Sequence, residues 1–251
     1  MQKTHDAVTG NRSPLVKYKD VVVGSTSLWT FLYFEWCMML APVPGALGLV
    51  LRKMFWPTLF GSCGKGVLFG VNIVLRHPQR IHLGSSVVLS EGCILDARSP
   101  EEDRAIVIGD NVILSSNVMF SCKDGIITVG QNSGINAQTI IQSTNRCPVD
   151  IGPDAVIGQR CFIVGGGNYN IDRLDIPIRS QGIVDDGGVA INEDVWLGGN
   201  VAVLGGVTIE RGTVVGAGAV VTKSMPAYSI CRGVPATVTG QRGTAVNNEQ
   251  G

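Results

Sequence analysis

The chain is short of charge and of aromatic side chains, and it has no net electrostatic sign. Charged residues make up 16% of its 251 positions and aromatics 6%, where a quarter charged is usual. Twenty basic and twenty acidic residues cancel, so no global basic field exists to bind nucleic acid. With 45% apolar residues, the composition also excludes a disordered chain, which needs low hydrophobicity and high net charge. Only three histidines are present: His5, His77 and His82. A zinc site of the carbonic anhydrase kind needs about three around one ion, and His5 lies in the polar leader, so no metal cofactor is expected. Seven cysteines (37, 63, 93, 122, 147, 161 and 231) form no C-x-x-C pair. Their odd number argues against a disulfide framework, and a reducing, cytoplasmic compartment fits better. The first twenty residues are polar and include Pro14, so no secretory signal is read there.

What the chain does have is glycine. Thirty-three glycines are about twice the average share, yet they follow no Gly-X-Y period, which excludes collagen. Composition divides the chain into residues 1–60, 61–240 and 241–251. Residues 1–60 are a polar leader followed by an apolar arm rich in Trp, Phe and Tyr. Residues 61–240 are aliphatic, glycine-rich and small. The tail, 241–251, has nothing to bury and is expected to be disordered.

The long middle region repeats with a period of six. Its large apolar residues run Leu83, Leu89, Leu95; Ile108, Leu114, Phe120; Val129, Ile135, Ile141; Ile151, Ile157, Ile163; Ile191, Leu197, Val203; and Ile209, Val215, Val221. Seven of the eighteen are followed by glycine, and the residue four places on is Val, Ala, Cys, Ser or Thr in the first two hexads of every triplet. A six-residue period fits neither a helix nor one long strand. It fits a short strand and a corner, three to each turn of a triangular prism. The large residue fills the axis, the small one lies beside it, and Gly or Asn takes the tight backbone at the corner. Cys93 and Cys161 fall on the small-residue positions, where packing is their expected role.

Between triplets the spacing is 13, 9, 10, 28 and 6 residues. Insertions of 7, 3, 4, 22 and 0 residues therefore leave one and the same corner. The 22-residue loop dominates that wall, and a loop of that length without a regular pattern is usually functional.

These residues resemble the hexapeptide-repeat acyltransferases, and among them the sugar and polysaccharide O-acetyltransferases. The resemblance covers about 65–240. It is most specific in DVWLGGNVAVLGGVTIERGTVVGAGAVVTKSMPAYSICRGVPATV (194–238), and GGGNYNIDRLDIPIRSQG (165–182) is also similar to that family. It implies an all-β solenoid, a left-handed parallel β-helix with an N-terminal apolar helical arm, assembled as a homotrimer with sites between neighbouring prisms. It implies acetyl-CoA, or another acyl-CoA, as co-substrate. It places Gly199 and Ala217 beside the pantetheine and Thr222 and Lys223 near the nucleotide phosphates. Many relatives carry Arg or Lys after G-x-P-A, where this chain has Thr237, so that phosphate contact is expected either to be missing or to come from Arg232 or Arg242. The implied reaction is acyl transfer to a hydroxyl of a sugar or glycan precursor. An N-acyltransferase acting on an amino-sugar nucleotide and a catalytically inactive trimeric scaffold stand as alternatives.

Thioester attack needs a base and a donor to the developing oxyanion. Much of the family places a histidine in the long loop, whereas this chain reads Asn168-Tyr169. Tyr169 is a poor base at its ordinary pKa, which leaves it to position substrate or donate to the oxyanion. Asp172 is the nearest carboxylate and becomes a base if desolvated. His77 and His82 are expected to be several turns away, with His77 at a strand end or cap.

Residues 28–50 carry one charge, Glu35, and are long enough to span a bilayer. Pro42 and Pro44 interrupt them, so two short helices read better. The apolar stretch 28–60 leaves three readings: packing on the prism or trimer, peripheral attachment to a membrane surface, or a true span.

Overall fold

The computed structural model describes residues 13–99 and 102–243. His5 and residues 244–251 of the expected tail lie outside them. The chain forms an all-β parallel solenoid of seven turns, a left-handed β-helix. Two faces carry seven strands and one carries nine. The first face runs from Ser62–Cys63 through Ile81–Leu83 to Val207–Ile209, the second from Leu68–Phe69 to Val214–Val215, and the third from Val74–Arg76 to Val220–Val221. Every pairing is parallel and in register except the last, where Thr237–Gln241 folds back antiparallel on Ser229–Arg232.

The hexad positions do what their chemistry dictates. All eighteen large residues are at most 3% exposed, and the twelve small ones at the fifth place are at most 1% exposed. Where that small residue is polar, its hydrogen bond is satisfied by the next turn. Thr139 Oγ1 donates to the Gly158 carbonyl at 2.9 Å, and Ser133 Oγ donates to the Gly152 carbonyl at 3.1 Å. A buried hydroxyl would otherwise cost free energy.

The corners differ from expectation in one respect. The left-handed backbone falls at the fourth place of the hexad, and glycine holds it in the minority of cases. Asn111, Asn117, Asn132, Asp154, Asp194 and Asn200 adopt positive φ there, as do Ser86, Gln138 and Arg160. Asn and Asp tolerate this region because their short polar side chains bond locally; here Asn111 donates to Asn132 and Asn132 to Asp154 in the turns above. The glycines at the second place serve close stacking instead. A Cβ on Gly158 would stand 2.6 Å from the Gly198 backbone.

A seventh turn precedes the six triplets read from the sequence. Cys63, Phe69 and Leu75 sit six apart, and Phe69 and Leu75 are buried. The step from Leu75 to Leu83 is eight residues, because the short turn Pro78–Arg80 intervenes; Cys63 at a large position and Ile73 at a small one take this coil out of the residue pattern.

Below the first turn lies the helical arm: α1 (Pro14–Tyr18), a π-helical turn (Lys19–Val23), α2 (Leu28–Met39) and α3 (Gly45–Phe55). Ser27 caps α2 by accepting from Thr30 N, and the Pro42-Val43-Pro44 segment keeps α2 and α3 apart, as the prolines predict. The arm closes the open end of the prism. Trp56 packs on Phe69 with ring centroids 5.4 Å apart, and Phe60 stacks on the same ring at 5.5 Å. Arg52 is buried, has no carboxylate partner among the described residues, and donates to carbonyls of Leu40, Val43 and Phe69. It thereby satisfies the end of α2 and fastens it to the first turn, where the helix dipole also favours a cation. No helix among the described residues is long and apolar enough to cross a membrane.

Candidate functional site

The 22-residue insertion leaves the third face after Phe162–Gly165 and re-enters the first at Val189–Ile191. Its legs run antiparallel. Tyr169 bridges Ile183, Val184 N donates to the Asn168 carbonyl at 2.8 Å, and Asn170 N donates to the Gly182 carbonyl at 3.1 Å. Both hinges must be glycine. Gly166 and Gly188 have positive φ, and a Cβ on either would stand 2.1 Å from a carbonyl oxygen of the insertion below, that of Thr144 or Pro148.

One carboxylate joins the two legs. Asp186 accepts from Gly166 N at 3.0 Å, from Gly188 N at 2.9 Å and from Asn168 Nδ2 at 3.4 Å. It lies against Gly205 in the next turn, where any Cβ would overlap it. Its neighbour Asp185 accepts from Gly187 N and from Cys147 Sγ, and burial pushes that thiol's pKa up. Sequence reading missed Asp186. The available signal was Asp185-Asp186-Gly187-Gly188, in which each Asp bonds the amide two residues on, as Asp does in turns.

The expected catalytic residues sit on this loop. Asn168 is held by Asp186 and by the backbone pairing above, and Tyr169 is half-buried beside it. Asp172 is exposed near the tip, so the chain by itself does not desolvate it. The tip also carries exposed apolar residues: Leu174 is 98% exposed, Ile171 66% and Ile178 54%.

The expected cofactor residues fall on two edges. Thr222 and Lys223 follow Val220–Val221 on the edge from which the loop departs, and both are exposed. Gly199 and Ala217 lie on the opposite edge of the third face, in successive turns; Gly218 N donates to the Gly199 carbonyl at 2.9 Å. The exposed Arg232 continues that line, its Cγ 3.0 Å from where a Cβ of Gly216 would stand. Arg242 is engaged elsewhere: it pairs with Asp194 at 2.7 Å and donates to the Gly212 carbonyl. Of the two arginines, only Arg232 stands beside Ala217. The G-x-P-A segment caps the third face, with Val220 N donating to Gly233 O and Ala236 N to Val220 O.

Neither remaining histidine reaches the loop. His77 Nε2 meets the Asp20 carbonyl at 3.0 Å and its backbone N donates to Val22 O, so it ties the arm to the prism. Burial, with Arg80 beside it, lowers its pKa. His82 lies between Ser62 and the Asp103 carbonyl. Its strand is four strand spacings from the loop's return strand, about 19 Å. A hollow of about 470 Å³ on the first face, lined by Thr128, Asp150, Glu193, Glu210 and Arg211, holds none of the expected residues. Among the described residues, no three His, Cys, Asp or Glu side chains come together as metal ligands.

Residues 188–223 match the bacterial transferase hexapeptide family (six repeats). The chain carries that hexapeptide repeat over these residues. It is 30% identical over 168 residues to a probable acetyltransferase of Mycobacterium tuberculosis, covering 67% of this chain and 54% of that protein. It is 36% identical over 120 residues to WbbJ, a putative lipopolysaccharide biosynthesis O-acetyl transferase of Escherichia coli, covering 45% and 60% respectively. The hexapeptide chain thus spans between half and three fifths of the length of these curated relatives. A solved neighbour in fold is AntD, an N-acyltransferase from Bacillus cereus in complex with dTDP and 3-hydroxybutyryl-CoA. It is 24% identical with a TM-score of 0.50, covering 73% of this chain and 84% of that one.

Proposed function

We propose that this protein transfers an acetyl or other acyl group from CoA to a hydroxyl of a sugar or glycan precursor. The observation that carries the reading is the bare edge at Gly199 and Ala217. Two successive turns carry no bulky side chain there, and Arg232 stands at its end. A pantetheine arm is thin and flexible, and it can lie along such a strip with its amides against corner backbone. Arg232 suits the phosphates of the nucleotide, and so does Lys223 across the third face, as flexible cations at a surface. The acetyltransferase relatives support the acyl-CoA part. WbbJ, named for O-acetyl transfer in lipopolysaccharide biosynthesis, supports the saccharide part.

The working unit we infer is a homotrimer. Residues facing outward on the second face form an apolar column, with Ile113, Val156 and Trp196 each about half exposed. The third face adds Val74, Ile140 and Phe162, each about 40% exposed. The first face is more polar, presenting His82, Thr128, Asp150 and Thr208. Two different apolar faces on one chain suit a cyclic assembly in which each copy meets the next through unlike surfaces. The edge bearing Gly199 and Ala217 lies between those faces, so assembly would wall it in. The apolar tip of the loop would reach the neighbour as well, and there Asp172 would be desolvated.

In that enclosure Tyr169 donates to the oxyanion or orients the acceptor, Asn168 holds the loop through Asp186, and Asp172 takes the acceptor proton. A cytoplasmic location suits that donor and seven unpaired cysteines. The test is release of CoA from acetyl-CoA, with mass detection of acetylated product, across free sugars, sugar nucleotides and oligosaccharides. The expected result is product with a hydroxyl acceptor. Product only with amino-sugar nucleotides would move the reading to N-acylation. No turnover and no CoA binding by a folded trimer would leave a scaffold.

A further inference from the structure

Twelve of the twenty-four large apolar side chains that stand exposed lie between Leu15 and Met54, under a fifth of the described chain. They are ordered. On α2, Trp29, Leu32, Trp36 and Met39 recur at steps of three and four and are 80%, 48%, 48% and 70% exposed. On α3, Leu47, Val50 and Met54 repeat the same steps at 67%, 50% and 65%. Each helix already buries a different stripe against the prism: Phe34 and Cys37 on α2, Gly48 and Arg52 on α3. The arm is therefore satisfied on its inner side and still apolar on its outer side. A helix on an ordinary protein surface turns charged residues outward, and an apolar patch this continuous marks an interaction site.

Three further features choose the occupant. The helices have 12 and 11 residues, about 18 and 17 Å long, too short to cross a hydrocarbon core of about 30 Å. Two tryptophans and a tyrosine, Tyr18, belong to the outward set, and such rings favour the level of lipid headgroups. The charge is lopsided. In a chain whose charges cancel, residues 13–65 carry, apart from the buried Arg52, Lys17, Lys19, Lys53 and Lys65 against Asp20 and Glu35, and the Glu35 carboxylate accepts from the Tyr18 hydroxyl at 2.6 Å.

We propose that the outer face of α2 and α3 is a monotopic docking surface for an anionic lipid bilayer, lying in the interface plane with its apolar stripes inserted and its lysines at the headgroups. The patch covers the end of the prism, opposite the G-x-P-A cap. If prisms assemble side by side, as the trimer reading holds, the copies present their patches on one side. That multiplicity rests on the trimer; the patch does not. Docking at that end would hold the long loop, whose return strand is five strand spacings from the first turn, about 24 Å further up the prism.

The test is flotation of the full chain with vesicles of phosphatidylcholine alone and of phosphatidylcholine mixed with phosphatidylglycerol. Two variants accompany it, Trp29→Glu/Trp36→Glu and Lys53→Glu/Lys65→Glu, all at exposed positions whose loss leaves the prism core intact. Circular dichroism and acetyl-CoA titration of the same proteins show that fold and donor site are kept, which separates this proposal from the catalytic one. The expected result is flotation with the anionic vesicles, at least tenfold weaker for the tryptophan variant and several-fold weaker for the lysine variant or at high salt. No flotation of the wild type overturns the proposal, as does flotation unchanged by Trp29→Glu/Trp36→Glu. A drop in oligomer mass for that variant, with no vesicle binding by the wild type, would make the face a seam between chains and overturn it equally.

Discussion

The prism and the loop it carries are built on opposite terms. In the prism, each residue's role repeats every six positions, eighteen large side chains are at most 3% exposed, and each inner turn is paired on both sides. In the loop, nothing repeats, the tip is solvent-exposed, and Asp186 gathers both legs through Gly166, Gly188 and Asn168. Stability therefore resides in the redundancy of the turns. Geometry at the loop depends on a few contacts with no substitute, which is the usual division between a rigid scaffold and the loop it positions.

That comparison can be broken at several points. Phe120→Ala removes a fully buried ring from the axis and should cost about 3–5 kcal/mol, read as a large drop in the urea midpoint; a small shift would mean that the axis collapses without penalty. Asp186→Ala should do the reverse. The midpoint moves much less than for Phe120→Ala, trypsin cuts faster after Arg173 and Arg179, and acyl transfer falls by roughly 10²-fold through misplacement of Asn168 and Tyr169. Unchanged proteolysis would show that the legs hold without the clasp. Tyr169→Phe should lower turnover by about 10²-fold if its hydroxyl meets the oxyanion and leave acetyl-CoA affinity alone; wild-type turnover removes Tyr169 from the chemistry. Thr139→Val leaves the Gly158 carbonyl without its donor inside the wall, for about 1 kcal/mol, measured by the same denaturation. Lys223→Ala should weaken acetyl-CoA binding by only about threefold to tenfold, because an exposed cation is screened, with no change in stability.

The same contrast explains what could be read in the sequence. The prism was legible because one geometric demand is imposed again and again: Leu89, Leu114, Ile135 and Ile157 answer the same question in successive turns. Where the demand is irregular the reading failed. The first turn was hidden because Cys63 stands where the other turns carry a large apolar residue and Ile73 where they carry a small one. Gly or Asn was expected at the corner, and both do hold positive-φ corners, but Asp154, Asp194, Ser86, Gln138 and Arg160 share them, and the glycines that follow the large residues serve close stacking. At the site, Gly166 and Gly188 stand at the ends of the predicted insertion, but Asp186 is one carboxylate among twenty acidic residues, and only the closed loop shows what it joins. The arm was legible as two helices broken by Pro42 and Pro44. The direction of its outer stripe was not, because α2 is apolar nearly all round and periodicity alone gives it no inside.

The central proposal is that the bare edge at Gly199 and Ala217 receives an acyl-CoA and that the long loop, which leaves the opposite edge of the third face, performs the transfer in the assembled protein. Calorimetric titration of the assembled protein with acetyl-CoA tests it most directly, with Asp186→Ala and Lys223→Ala alongside. The account predicts saturable binding to the wild type, nearly equal binding to Asp186→Ala and weaker binding to Lys223→Ala. No binding by a folded assembly would contradict it and leave the prism a scaffold.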